Sequence, residues 1–165
     1  MSKALEFRSR DTKFAVTIPG LQVKSLLNFA CQAGRKETGG ILVGYYSTKL
    51  DRAHVTIVSA PPPDSRAGGW SFQRGVRGLA SWLGELWTAP ARTYYLGEWH
   101  FHPYASPEAS GHDRQQMRDI SASADYRCPE PLLLILGGDP NGAWEPRVYV
   151  FPTAQAEPSD LRRVE

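Results

Sequence analysis

Cysteine is scarce in this 165-residue chain: two residues, Cys31 and Cys128, stand far apart in sequence. Neither has a second cysteine nearby of the kind a zinc or redox pair needs, so a disulfide framework is excluded as the organising principle, and two reduced, partly buried thiols are expected. Long apolar runs are missing too. The longest, Leu132 to Leu136, is far too short to cross a bilayer, and Met1 to Arg10 lacks the apolar core of a signal peptide. The expectation is a cytoplasmic protein without membrane association. A dominant sign of charge is also absent: 19 Lys and Arg against 17 Asp and Glu leave a net charge of +2, and no dense basic block is present to neutralise several phosphates at once. Nucleic acid is therefore not expected as a partner.

What remains is the composition of a globular domain, 41% hydrophobic and 22% charged, long enough to bury a core without disulfides. Residues 14–18 alternate as a strand, and Pro19-Gly20 breaks it before Val23, Leu26, Leu27 and Ala30 recur at helical spacing up to Gly34. Residues 38–46 and 55–59 read as paired strands, and 60–70 as a Pro- and Gly-rich loop leading into Trp70, Phe72, Arg74 and Arg77. A second helix is expected from Val76 to Trp87, a strand over 92–102, a third helix over 110–124, and strands over 132–136 and 147–151. This order predicts a single α/β (α+β) domain over residues 1–151, with a mixed β-sheet flanked by helices. Residues 152–165 read as a polar C-terminal tail, loosely held.

The chemistry concentrates in Gly97-Glu98-Trp99-His100-Phe101-His102-Pro103. In a strand, side chains two apart share a face, so Leu96, Glu98, His100 and His102 are expected on one side and Tyr95, Gly97, Trp99 and Phe101 on the other. The two imidazoles then make a bidentate grip on a borderline metal such as zinc. Asp113 falls at helical spacing with Met117, Ile120 and Ala124, which puts an acid on the face that should look inward. Two His, one Asp and an open position are the set of a catalytic zinc, and Glu37, at the start of the Gly-rich strand, is the candidate to take a proton from the zinc-activated water. Ser110 with Asp113 also reads as a capping box, a reading compatible with metal binding. Glu98 is either a partner behind the ligands or an exposed strand carboxylate, while His54 and His112 read as ordinary.

With Glu37-x-Gly39 upstream, His100-x-His102-Pro103, then Ser110 and Asp113, the chain resembles the JAMM (JAB1/MPN/Mov34) metallopeptidases. The resemblance implies an MPN-like domain holding one zinc per chain on His100, His102 and Asp113. It implies hydrolysis of isopeptide or peptide bonds after the C-terminal Gly of ubiquitin-like proteins, with Glu37 catalytic and Ser110 steadying the oxyanion. Gly97-Glu98-Trp99-His100, the Pro61-Pro62-Pro63-Asp64-Ser65 loop and the Leu132-to-Gly138 strand are most similar to a bacterial branch. Those proteins accompany E1/E2-like enzymes in antiphage (CBASS) operons and reverse conjugation of a CD-NTase-type nucleotidyltransferase. Many JAMM members carry Ser or Thr where this chain has Phe101, a difference expected to fall on packing. Trp70, Phe72, Arg74 and Arg77 are candidates to grip the partner's tail, or else aromatics that cover the core beside solvated arginines. Two other readings are a peptidase that trims a ubiquitin-like sulfur carrier and a metal-free MPN scaffold; intact ligands speak against the scaffold.

Overall fold

A computed structural model describes residues 2–165. In chain order these form β1 (Leu5–Arg8), β2 (Ala15–Ile18), α1 (Gly20–Ala33), β3 (Thr38–Tyr46), β4 (Arg52–Val58), β5 (Arg66–Ala67) and β6 (Phe72–Gln73). Then follow α2 (Leu79–Thr88), β7 (Tyr94–Pro103), α3 (Gly111–Ala122), β8 (Leu132–Gly138), β9 (Trp144–Val150) and β10 (Ser159–Val164). Eight strands close on themselves in the order β1-β10-β9-β8-β7-β3-β4-β2, and β5 and β6 make a separate two-stranded hairpin. Pairing is antiparallel except at β7–β8 and β2–β4, which are parallel, so the sheet is mixed and the fold α+β.

The two faces of this sheet carry different cores. Leu42, Leu96, Trp99, Phe101, Leu132, Leu134, Leu136, Val148 and Val150 pack on one face with Val23, Leu26 and Ala30 of α1. Ile41, Val43, Tyr95, Leu133, Ile135 and Tyr149 lie on the other, with Met117 and Ile120 of α3. The Leu132–Leu136 run alternates between the two clusters, which is why it shows no polar residue: a strand buried on both faces has no solvent side. At the middle sits β7, held by β3 on one edge and β8 on the other. The α1 helix ends at Gly34, whose backbone is left-handed at φ 64° and whose N–H bonds the carbonyls of Ala30 and Cys31.

Several local expectations fail, and most of the failures have a physical reason. Strand β7 does not alternate throughout: Leu96 joins Trp99 and Phe101 in the α1-side core, whereas Tyr95 shares the face of Glu98. The register with β3 shifts there, Leu42 opposing Gly97 and Val43 opposing Tyr95, so Leu96 is an extra residue in a β-bulge that reverses parity. Gly97 makes this possible, since its φ of 154° brings the backbone to where a Cβ would lie 2.0 Å from the Leu132 carbonyl oxygen. The expected tail over 152–165 instead supplies β10, which joins β1 to β9. Its sequence, Ser-Asp-Leu-Arg-Arg-Val, buries only Leu161 and carries too little apolar alternation to be noticed.

Helix α2 begins at Leu79 rather than Val76, because Gly78 takes a left-handed backbone at φ 80° and Val76 lies outside, exposed. The loop over 60–77 holds the β5–β6 hairpin, whose two-residue strands are below what periodicity can reveal. Of the thiols, Cys128 is buried but Cys31 is exposed rather than partly buried. Burial pushes the Cys128 thiol up to about 12, so it stays protonated and unreactive. No helix among the described residues is long and apolar enough to cross a membrane.

Candidate metal centre

Beyond the bulge, β7 resumes strict alternation and carries Glu98, His100 and His102 on the α3 side. His100 pairs across the sheet with Gly39 of β3 and Ile135 of β8. The absence of a side chain at Gly39 matters here, because a Cβ would stand 2.9 Å from His100 Cδ2 and 2.8 Å from the Phe72 ring. On the facing helix Asp113, Met117 and Ile120 are the buried residues, at spacings that put them on one side, so the apolar pair anchors α3 and turns the acid inward.

The three side chains converge. Asp113 Oδ1 is 3.0 Å from His100 Nδ1 and Oδ2 is 3.6 Å from His102 Nε2, and one ligand atom from each residue lies within 4.8 Å of the others. His102 Nδ1 lies 3.2 Å from the Ser106 carbonyl oxygen; a carbonyl only accepts, so Nδ1 carries the proton, and Nε2, on the Asp113 side, is the ring atom left to face a metal. His100 Nε2 is buried with no hydrogen-bond partner. A buried ring nitrogen beside a buried carboxylate and a second free imidazole is a donor set that suits zinc in both chemistry and number. Burial opposes charge on Asp113, yet the hydrogen bond and charge of His100 and the Ser110 N–H and O–H together hold its carboxyl well below the ordinary range. It is thus ionised across the whole neutral range, as a ligand must be.

Ser110 is the α3 N-cap and forms both halves of a capping box: its Oγ accepts from the Asp113 N–H at 3.1 Å, while Asp113 Oδ2 accepts from the Ser110 N–H. Asp113 Oδ2 also accepts from the Ser110 hydroxyl at 2.8 Å. Cap and candidate ligand are therefore one unit. Glu37 is half-buried, one residue ahead of the Thr38–Phe101 pair and on the face of Gly39, which places it beside His102. Burial raises its carboxyl above the ordinary value, with Asp113 adding to the shift and His102 and His100 opposing it. Its backbone N–H donates to the Gly68 carbonyl of the hairpin at 2.8 Å.

The aromatic and basic cluster divides. Trp70 is 91% exposed at the hairpin tip and Arg77 is also exposed, but Phe72 is buried edge-on against His100 with ring centroids 5.7 Å apart. Arg74, expected either to meet a substrate or to be solvated, is instead turned inward against Glu98, Gly75 and Tyr126. The exposed-carboxylate reading of Glu98 fails with it, since Glu98 is fully buried and accepts from both Arg74 and Tyr95. Tyr95 and Tyr126 were missed as members of this network. Nothing in their spacing marks them, because the bulge at Leu96 hides the face of Tyr95. His112 is exposed on α3, and His54 stacks on Tyr45 away from the centre.

Sequence comparison places this geometry among known proteins. The profile for prokaryotic homologs of the JAB domain matches residues 22–148. A "CD-NTase/cGAS isopeptidase" of Enterobacter hormaechei is 42% identical over 162 residues, covering 98% of this chain and 88% of the relative. A probable metalloprotease of Sinorhizobium fredii is 30% identical over 137 residues, covering 82% of each chain. A second "CD-NTase/cGAS isopeptidase", from Pseudomonas aeruginosa, is 34% identical over 104 residues, covering 62% of this chain and 63% of the relative. Among solved structures, the Desulfitobacterium hafniense protein DSY2949 superposes with a TM-score of 0.60 at 17% identity, covering 88% of this chain and 86% of the other, which is a likeness of fold.

Proposed function

The chain belongs to the prokaryotic homologs of the JAB domain, and from that membership we propose that it is a zinc-dependent isopeptidase. Its proposed substrate is a conjugate in which the C-terminal glycine of one protein is joined to another. A CD-NTase-type nucleotidyltransferase is the proposed conjugated partner, a reading supported by the name "CD-NTase/cGAS isopeptidase" of a relative that aligns with 98% of this chain. The observation that carries the metal part of the reading is the buried convergence of His100, His102 and Asp113, with His100 Nε2 unpartnered. Release of such a conjugate would place the protein in bacterial antiphage (CBASS) regulation.

His100, His102 and Asp113 would hold a zinc ion, which would supply Lewis-acid activation of water and of the scissile carbonyl. Glu37 takes a proton from the attacking water and returns it to the leaving amine, so the C–N bond is exchanged for a carboxyl and a free amine. Its half-buried setting, which favours the protonated carboxyl, suits a group that must hold a proton between two transfers. Ser110 donates its hydroxyl to the developing oxyanion; Asp113 still accepts from the Ser110 backbone N–H when the hydroxyl turns away, so the move leaves no ligand oxygen bare. A groove of about 440 Å³ lined by Gln73, Val76, His112, Gln116 and Tyr126 runs past the sequence neighbours of Phe72 and Asp113 rather than over the ligands themselves, and it is the proposed seat of the substrate chain.

The test incubates purified protein with CD-NTase conjugates and with glycine-terminated ubiquitin-like fusions, with and without a chelator, followed by zinc repletion. Cleavage of the conjugate that stops on chelation and returns with zinc is expected, together with about one zinc per chain by elemental analysis. An intact conjugate in the zinc-loaded reaction would sink the assignment; cleavage of the fusions alone would redirect it to a carrier-trimming peptidase.

A further inference from the structure

Glu98 lies two residues before His100 on the same face of β7, wholly inside the protein, and its ion pair reaches out of the sheet to the hairpin. Arg74 Nε donates to Glu98 Oε2, Nη1 donates to the Gly75 carbonyl at 2.7 Å, and Nη2 to the Tyr126 hydroxyl at 2.6 Å. The second oxygen of Glu98 accepts from the Tyr95 hydroxyl at 2.7 Å. A buried pair of this kind adds little net stability, because desolvating both charges offsets most of their attraction. What it does supply is geometry: a planar guanidinium held by two partners outside its own segment, Glu98 and Tyr126, restricts where its backbone can lie.

That backbone follows directly on β6. A two-residue ladder such as β5–β6 does not hold its own position in water. Yet this hairpin makes two contacts with the centre: Phe72 stands edge-on against His100, and the Gly68 carbonyl accepts from the Glu37 N–H. Both contacts depend on where the hairpin is pinned. We infer that Arg74 and Glu98 form a positioning pair that locks the β5–β6 hairpin onto the metal strand, fixing Phe72 over His100 and Gly68 under Glu37. For catalysis the inference rests on the isopeptidase reading; for geometry it stands on the hydrogen bonds alone.

The test uses the full chain carrying Arg74→Met and Glu98→Gln together, a combination that leaves no unpaired buried charge and so spares the fold, with Arg74→Lys as a milder variant. Amide exchange is followed by NMR on metal-free protein. Glu37, whose N–H makes the bond to the hairpin, is expected to exchange at least about tenfold faster in the double variant, with amides of the central strand β8 unchanged, and Arg74→Lys to fall between. With zinc bound at the wild-type stoichiometry, kcat on the conjugate is expected to drop about 10- to 100-fold while KM changes little, as for a small misplacement of a reacting group. Wild-type exchange at Glu37 in the double variant would overturn the inference, as would a uniform rise that includes β8, which marks a general packing role. If wild-type protein cleaves no conjugate under any metal, the isopeptidase reading falls while the exchange result still decides the positioning.

Discussion

The two faces of β7 are buried to the same depth and do different things. On one, Leu96, Trp99 and Phe101 are 0%, 0% and 1% exposed; on the other, Glu98, His100 and His102 are 0%, 2% and 9% exposed. The apolar face is closed: Trp99 Nε1 donates to the Ser59 carbonyl at 3.0 Å, and the Tyr94 hydroxyl accepts from the Tyr46 N–H at 2.8 Å. The polar face is closed at Glu98 by Arg74 and Tyr95 and at His102 Nδ1 by Ser106, but open at His100 Nε2. Burial therefore does not distinguish core from site. Unmet bonding capacity does, since a buried polar atom without a partner costs about 1–3 kcal/mol unless something else satisfies it. If this contrast is right, changes on the polar side should cost chemistry while sparing the fold, and changes on the apolar side should do the opposite.

The largest effect is expected at Glu37, at the rim of the polar face. Glu37→Gln keeps the shape and removes the proposed proton acceptor, so kcat should fall about 10²- to 10⁴-fold, or roughly 2.7–5.4 kcal/mol in barrier. Zinc content and the unfolding midpoint should stay at wild-type values. Single-turnover cleavage at saturating conjugate is the measurement, and wild-type turnover would remove Glu37 from the chemistry. Next comes the opposite face. Trp99→Ala, emptying the largest fully buried side chain, should cost about 3–5 kcal/mol in denaturant unfolding. Zinc stoichiometry at low temperature should be unchanged, and loss of zinc while the protein remains folded would show that the faces are coupled.

Much of this contrast was legible in the chain before any coordinates. The His100-x-His102 spacing puts two imidazoles on one side of a strand, and the four-residue step from Asp113 to Met117 turns an acid into the core; both are local geometry and both hold. Three kinds of information were not local. The bulge at Leu96 is set by how β7 pairs with β3, so the sides of Leu96 and Tyr95 could not be read from alternation. β10 gains its place from β1 and β9 at the other ends of the chain, and its own sequence is that of a polar tail. Arg74 read as either a substrate contact or a solvated arginine because its partners Glu98 and Tyr126 lie 24 and 52 residues away.

Ser110 sharpens the comparison at an intermediate scale, because one side chain caps α3 and is also the proposed oxyanion donor. Ser110→Ala should raise the barrier by about 2.7–4 kcal/mol if the hydroxyl steadies the oxyanion. As a lost N-cap it should lower stability by only about 1 kcal/mol. Paired measurements of kcat and unfolding free energy separate the two. A drop in turnover no larger than the drop in stability would leave Ser110 as a cap and a brace for Asp113 alone.

The smallest effect is also the most direct test of the open valence at His100. A ligand that binds only the folded state stabilises it by about 2.7 kcal/mol at a hundred times its dissociation constant. For a domain of this length that is roughly 5–11 °C in the unfolding midpoint. Zinc added to chelator-stripped protein should give this rise in calorimetry. The rise should vanish in Asp113→Asn, which keeps the capping geometry but weakens the ligand, and persist in Trp99→Phe, which alters only the closed face. A rise equal in both variants would mean that zinc binds elsewhere and that the two faces of β7 differ only in polarity.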